Sequence, residues 1–476
     1  MFMFWVKEKL LNLVVQSLHW NLKKRVTTGL ISKKIMKDII ENYSADFKQL
    51  QNINKNDWFA KERQSAFDIF QKTGFPTTRN ENWKYTDVKP IARNIFSNIS
   101  ESNVRTDNGE IDSVFFKGLD CINLVFINGA YSEEYSDIKN IAGKVVVKNM
   151  ASALVNDKEI LKKHLAKSTD KTLSSFTALN TAFIQDGAYI NIPSNINIEK
   201  PINITYISKD NTGKFATHPR NLILMGENSK ATIIENYVGN DETNYFTNSV
   251  TETVLLQGSS LKHYKIQQES ANAFHIASLN TSQSKDSRFE SHSISIGGAL
   301  VRNNINASLN AEGAEIIMNG FYMTDNTQHV DNHTRVDHLK PHTQSHQNYR
   351  GVLNGKSRGV FNGKVVVHPQ AQKIEAYQNN ANLLLSDDSE IDTKPELEIY
   401  ADDVKCTHGA TVGQLDDDML FYLRSRAVDE QTARSLLTYA FADEIIKNIN
   451  FQAIENKLEN LIISRLPDSS LIREYV

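Results

Sequence analysis

The chain has 476 residues, 40% of them hydrophobic and 23% charged, enough apolar material for roughly two to four structural units and too much for wholesale disorder. Lys and Arg number 53 against 56 Asp and Glu, a net charge of −3, which argues against a dedicated nucleic-acid binder or a polybasic membrane-surface protein. Two cysteines, Cys121 and Cys406, exclude a disulfide framework and any all-cysteine metal site built from this chain alone, and point to a reducing, cytoplasmic setting.

Residues 1–35 hold two apolar runs, Met1 to Val6 and Leu10 to Val15, divided by Lys7, Glu8 and Lys9. They are too short for a membrane span, and no small-residue cleavage site follows. Met36 opens a fresh helical pattern, so residues 1–35 read as an extension outside the functional fold. A chain starting at Met36 is expected to be as stable and as competent as the full one.

All four Trp residues lie before residue 84, whereas 12 of the 13 His residues lie after it. The front of the chain is therefore built differently from the rest. Residues 36–185 read as an N-terminal helical domain. Ile39, Ile40, Tyr43, Phe47 and Leu50 fall at helical spacing, Phe67, Ile69 and Phe70 follow, and Gly74-Phe75-Pro76 breaks the pattern. Two further helices are expected, around 151–167 and 173–184.

From Asp186 the period changes to two: Ile190 and Ile192, Ile196 and Ile198, then Ile202, Ile204 and Tyr206 alternate with polar residues. Short turns recur from Gly226, Gly258, Ser284, Ala311, Gly355, Pro369, Ser386 and Ala401. Some steps between them are about half of others, as a coiled stack of strands produces. Asn354-Gly355 and Asn362-Gly363 would also suit the hairpins of a β-sandwich. A parallel β-helix over 186–415 is the expectation, because stacked rungs bury a continuous core from short alternating strands.

Residues 416–476 return to helical periodicity. Asp429 is a plausible N-cap, and Ala433, Leu436, Leu437, Ala440, Phe441 and Ile445 make one apolar face. A second helix carries Phe451, Ile454, Leu458, Leu461 and Ile462. Such helices are expected to cap the exposed last rung and to offer Leu436, Leu437, Ala440 and Phe441 to a partner.

Three groups of residues invite a chemical reading. Gly355-Lys356-Ser357 resembles the end of a phosphate-binding loop, but Arg350 stands where the first glycine is needed and no helix follows, so the chain is not expected to be an ATPase. His329, His333, His338, His342 and His346 place five imidazoles in 18 residues, with Asp325, Asp331 and Asp337 among them. They can be metal ligands, with His329, His333, His342 and His346 the candidates, or turn and core residues with no ion. Cys406 and His408, two apart on a strand, would face one side. The imidazole could take the thiol proton and leave a thiolate able to hold iron or carry sulfur, or the pair could be a buried Cys beside a satisfied His.

The stretches Gly359-Val-Phe-Asn-Gly-Lys-Val-Val-Val-His-Pro-Gln-Ala-Gln-Lys373, Gln378-Asn-Asn-Ala-Asn-Leu-Leu-Leu-Ser386 and Ala401-Asp-Asp-Val-Lys-Cys-Thr-His-Gly-Ala-Thr-Val-Gly413 resemble the SufB/SufD family of iron–sulfur cluster assembly proteins. Leu420–Arg426 and, near the front, Gly74–Thr86 extend the likeness, which covers roughly residues 36–465. SufB-type chains carry His-Glu-Ala-Thr where this chain has His408-Gly409-Ala410-Thr411, and a functional cysteine where it has Ser389. Both departures match the SufD branch and imply that the sulfur-accepting thiol of the partner is missing here.

The resemblance implies a right-handed parallel β-helix between N-terminal and C-terminal helices, acting as a non-catalytic scaffold. It implies a complex with a SufB-like paralogue, and a SufC-like ATPase docked on the C-terminal helices. Cys406 and His408 would lie near the paralogue interface, where a transient iron–sulfur cluster is shared. No cluster is expected to stay on this chain alone, since two thiols cannot supply four ligands. A flavin touching this subunit, and a homodimer in the absence of the paralogue, stay open. The competing readings are an independent metal-binding storage or transfer protein using the His-rich stretch, and a polysaccharide-active β-helix enzyme. The second lacks an evident export signal and rests on fold analogy alone. Removal of the chain after Asp418 is expected to abolish ATPase association and leave the strand stack folded.

Overall fold

The computed structural model of the chain describes residues 39–53, 57–98, 114, 116, 118–138, 144–167, 174–209, 214–239, 243–449 and 451–475. The extension 1–35 and the start at Met36 lie outside the described residues. The chain is mainly β, a solenoid of about eight turns with helices before and after it.

Successive strands alternate between two long parallel sheets. Leu300 pairs with His329, His329 with Arg358 and Arg358 with Glu390, so a full turn takes 29 to 32 residues. The half-steps in the turn spacing are single strands with one corner. The steps are uneven because Gly226, Gly258, Ser284 and Ala311 mark one corner and Gly355 and Ser386 the other. At the first corner, one residue per turn adopts left-handed backbone geometry: Asn228, Gly258, Asp286, Gly313, His342 and Lys373, with φ between 52° and 70°. Each stacks on the next. The Gly258 amide donates to the Lys285 carbonyl of the following turn, and a Cβ on Gly258 would stand 2.4 Å from Asn228 Oδ1. Glycine and short polar side chains tolerate that conformation, which is why they recur there.

The two sheets enclose one interior and carry a helical layer on each outer face. Inside, Ile202, Ile204, Ile223, Ile233, Leu261, Phe289 and Ile316 stack along the axis. The residues at odd and even positions part company here. Ile233 belongs to the interior, whereas Ile234 packs outward under the C-terminal helices.

The N-terminal helices, through 39–53, Ala60–Thr73 and Ser175–Ala182, cover the outer face of one sheet. Their Phe47, Phe67, Phe70 and Phe183 join Phe246, Phe274 and Leu300 of the strands. Fully buried Arg220 ties the two parts together, pairing with Glu252 at 2.5 Å and donating to Asn180 and Thr181. The expected helices near 151–167 and 173–184 are Met150–Asn156, Lys158–His164 and Ser175–Ala182. Residues 36–185 are not wholly helical, however. Ile122–Ile127 enters one sheet in parallel with Ile202–Ser208, and Val146–Asn149 pairs antiparallel with Ala188–Ile192. The Ile122–Ile127 run is buried on both faces, and such strands lose the alternation that reveals a half-exposed one.

The C-terminal helices Asp417–Ser425, Glu430–Ile446, Gln452–Arg465 and Ser469–Tyr475 do not cap the last rung. They fold back over the outer face of the second sheet. Tyr439, Ala442, Ile445, Ile446, Leu458 and Ile462 pack on Tyr264, Ile266, Ile294 and Phe321. Tyr264 Oη donates to the Ile449 carbonyl at 2.6 Å. Asp429 is the expected N-cap, accepting from the Thr432 amide at 3.0 Å.

Candidate functional site

The solenoid ends on two strands, Glu390–Ile399 in one sheet and Val404–Gly413 in the other. Among the described residues no strand pairs with their outer edges. The two edges differ in chemistry. Glu390–Ile399 carries Glu390, Asp392, Lys394, Glu396 and Glu398, together with Pro395, features that discourage a further strand. Val404–Gly413 has one charged residue, Lys405, and no proline.

Cys406 and His408 sit on that second edge strand, opposite Ala376 and Gln378. Being two apart, they share the inward face. Cys406 is half-buried beside Leu397 against Val365, Val367, Ile374 and Ala376. Burial pushes its thiol above the ordinary value, so in the free chain it is held protonated. His408 is exposed, with nothing stacked over it. One sulfur and one nitrogen donor therefore lie together at an open rung, two of the four that an iron–sulfur cluster usually takes. Cys121 lies far back in the sequence, half-buried, hydrogen-bonded to Asn123, with its thiol pushed up to about 11 chiefly by burial.

The His-rich stretch is dispersed by the fold. His329 and His333 lie on the outer face of the first sheet around Asp331. His333 Nε2 is 3.0 Å from its carboxylate, and Thr86 joins His329 at 2.9 Å and Asp331 closer still. Arg302 completes the cluster, 2.7 Å from Asp331 and stacked over the Trp83 ring at 3.8 Å. Burial alone would raise the Asp331 carboxyl, but Arg302 and His333 hold it well below the usual carboxylate range. His338 points inward, bridged to Thr343 at 2.8 Å and Ser345 at 2.9 Å. His342 is one of the left-handed corner residues, and His346 lies on the outer face of the second sheet, stacked on Tyr377 at 5.1 Å. Among the described residues no three or more His, Cys, Asp or Glu side chains are grouped to hold a metal ion.

The expected partner face on the C-terminal helices is largely spent within the chain. Leu436 and Phe441 pack against the helices' own core, Arg350 lies over the Phe441 ring at 4.7 Å, and Ala440 is exposed. Leu437 lines an open recess of about 430 Å³ with Met419, Tyr422 and Leu423. The exposed apolar residues belong mainly to the short helix Asp417–Ser425: Met419, Tyr422 and, at 74% exposure, Phe421.

Sequence reasoning missed what lies beneath the open rung. Gln378 and Gln347 are buried in line with His408, each about one turn apart. Thr334 Oγ1 donates to Gln347 Oε1 at 2.6 Å, and Gln378 Nε2 donates to the same oxygen at 3.3 Å. Deeper still, the interior holds a charged cluster. Burial would raise the Glu235 carboxyl, yet His263 beside it and hydrogen bonds from Thr251 and Asn221 bring it down to about 2. Burial lowers the Lys265 ammonium to about 8 against the pull of Glu235 and Glu269. The signal for both groups was the recurrence of polar residues, one turn apart, in phase with inward-facing apolar ones.

The chain is thus a two-sheet β-solenoid with an open terminal rung, a thiol and an imidazole on its inner face, and helices folded over both outer faces. Residues 33–204 match the SufBD protein N-terminal region and residues 206–441 the SufBD core domain of the SUF system for FeS cluster assembly. The chain is 31% identical over 413 residues to an iron–sulfur cluster assembly SufBD family protein of Synechocystis, covering 85% of this chain and 90% of the relative. It is 31% identical over 412 residues to the iron–sulfur cluster assembly protein SufD of Escherichia coli, covering 85% and 93%. The iron–sulfur cluster assembly protein SufB of Bacillus subtilis is 28% identical over 317 residues, covering 64% and 65%. The chain belongs to the SufBD family of iron–sulfur cluster assembly proteins and is a homologue of SufD. No helix among the described residues is long and apolar enough to cross a membrane.

Proposed function

We propose that this chain is a non-catalytic, cytoplasmic scaffold subunit that joins a SufB-like paralogue through the Val404–Gly413 end of the solenoid and a SufC-like ATPase through its C-terminal helices. A nascent iron–sulfur cluster is the cargo, formed at the paralogue contact with Cys406 and His408 beside it. The observation that carries this reading is the pairing of Cys406 and His408 on the inward face of an edge strand that lacks the charges and the proline of its neighbour. An edge of that kind accepts another chain's strand. Docking there would bury a thiol that is protonated in the free chain beside iron, which favours the thiolate. In the paralogue's absence a second copy of this chain could occupy the same edge.

Copurification from native extract tests the assembly. A tagged chain should bring down a SufB-like chain and an ATPase, and the trio reconstituted anaerobically should gain iron and visible absorbance that this chain alone does not. A tagged chain that returns neither partner, or a stable cluster on the isolated subunit, would overturn the reading. Storage by the His-rich stretch has weak support, since its imidazoles are dispersed over a buried cluster, a corner and two faces.

A further inference from the structure

The column of inward side chains ending at His408 has a direction. Gln347 Oε1 accepts from Thr334 Oγ1 and from Gln378 Nε2. The Gln378 amide nitrogen is thereby turned back into the solenoid, and its oxygen is left over. That oxygen, Gln378 Oε1, is buried and has no hydrogen-bond partner, and neither has Gln347 Nε2 one turn further in. A buried acceptor without a donor costs roughly 1–3 kcal/mol, so its retention calls for an explanation. The fold also makes room for it. Across the interior stands Gly363, whose Cβ would fall 2.0 Å from Gln378 Nε2, so any larger residue there would displace the glutamine.

The next inward side chain in register after Gln378 is His408. Its ring offers an N–H donor, and which nitrogen carries the proton is set by the bond the other makes. We propose that Gln378 is the positioning residue for His408: its spare oxygen takes the imidazole N–H, which fixes the ring and its tautomer and presents the other, unprotonated nitrogen at the open rung. Thr334, Gln347 and Gly363 act one step further back, by holding Gln378. This inference rests on the reading of His408 as part of the cluster site. It adds how a ring on an exposed edge strand is kept in one orientation.

The test uses the full chain and its reconstituted complex. In the chain labelled with nitrogen-15 histidine, with the His408 signals assigned by comparison with His408→Ala, the wild type should show one neutral tautomer and a slowly exchanging ring N–H. A ring that averages between tautomers and exchanges freely would overturn the proposal without recourse to any variant. In the complex, Gln378→Leu should cut cluster yield to within about twofold of His408→Ala, while Gln378→Glu, which keeps an acceptor oxygen in place, should stay within about twofold of wild type. Added to His408→Ala, Gln378→Leu should lower the yield by less than a further twofold, because both act on one ring. Wild-type yield from Gln378→Leu, or losses that multiply, would count against the link. Wild-type yield from His408→Ala would instead remove the cluster-site reading itself, so the two failures are distinguishable.

Discussion

The two ends of the solenoid are finished in opposite ways. At the first end each sheet is closed by an antiparallel strand: Ala130–Tyr131 on Ile122–Ile127, and Val146–Asn149 on Ala188–Ile192. Helices seal the flank of one sheet from there well along the stack, with Arg220 and, further on, Arg302 neutralised beneath them. At the last end both strands stop unpaired, and the inward positions of the final turn, which one turn upstream are the buried Ala376 and Gln378, are Cys406 and His408. The backbone repeat is the same throughout. What changes is whether the polar edge is satisfied within the chain or left for something else, and long exposed edges without blocking residues are otherwise avoided in native proteins. Closed edges are thus concentrated upstream, and the unpaired edge, with Cys406 and His408 on it, at the last turn.

The helical cover that one flank has and the open turn lacks can be broken most directly at Asp331, on the third strand from the open end of its sheet. Its removal in Asp331→Ala leaves the Arg302 guanidinium buried against Trp83 without a counter-charge, and losing one partner of a buried pair costs about 3–5 kcal/mol. Urea unfolding should show a loss of that size. A loss under about 1 kcal/mol would mean that the helical flank is not what holds the strands beneath it.

The interior charges sharpen the same comparison through pH. The Lys265 ammonium is lowered to about 8 from its ordinary 10.5 by burial. Between those values the unfolded chain holds a proton that the folded chain has released, so stability should rise with pH from 8 to 10.5. At ~1.4 kcal/mol per unit the gain attributable to Lys265 is roughly 3 kcal/mol. The difference between wild type and Lys265→Met, followed by unfolding across that window, should shift by this amount in favour of the wild type. A constant difference would place the ammonium in water rather than in the core.

These charged residues also mark the limit of what could be read in advance. The period-two pattern and the spacing of small-residue turns specify a stacked solenoid, because the corners must be left-handed and only a few residue types tolerate that. The Cys406–His408 pair is legible because residues two apart must share a face. Lys265, Glu235 and Gln378 cannot be told from outward polar positions by pattern, since a strand alone does not say which of its two faces is inside. The C-terminal helices announced an apolar face but not its destination. That depends on Tyr264, Ile294 and Phe321, more than a hundred residues upstream. Truncation after Asp418 would therefore uncover those strands. With each buried Ile or Leu contributing roughly 1.5–3 kcal/mol, the stack is not expected to survive it unharmed, and point changes are the better probe of ATPase docking.

The helix Asp417–Ser425 is the place for such a probe. Met419 and Phe421 are exposed and pack on little of the chain, so Met419→Ser with Phe421→Ser should move stability by less than about 1 kcal/mol. If this helix carries the ATPase contact, association on a sizing column should weaken at least tenfold. Unchanged association with the double variant, and loss with Ala440→Glu, would move the contact to the Glu430–Ile446 helix instead.

The smallest effect on stability is expected at the open turn itself. The His408 side chain is exposed, and trimming it opens Gln378 Oε1 to water in place of the ring N–H, so His408→Ala should leave the unfolding free energy within about 0.5 kcal/mol of wild type. Complex formation should also persist, because one imidazole need not disturb a strand-edge contact whose hydrogen bonds are main-chain. Cluster yield, read by visible absorbance and iron content after anaerobic reconstitution, should nevertheless fall. Cys406→Ser should lower it equally or less, since serine keeps the volume and a weak donor oxygen where the thiol packs beside Leu397. A variant at 408 that unfolds early would tie this turn to stability and erase the contrast between the two ends. One that keeps full stability, complex and yield would leave the unpaired edge as an interface with no chemistry of its own from this subunit.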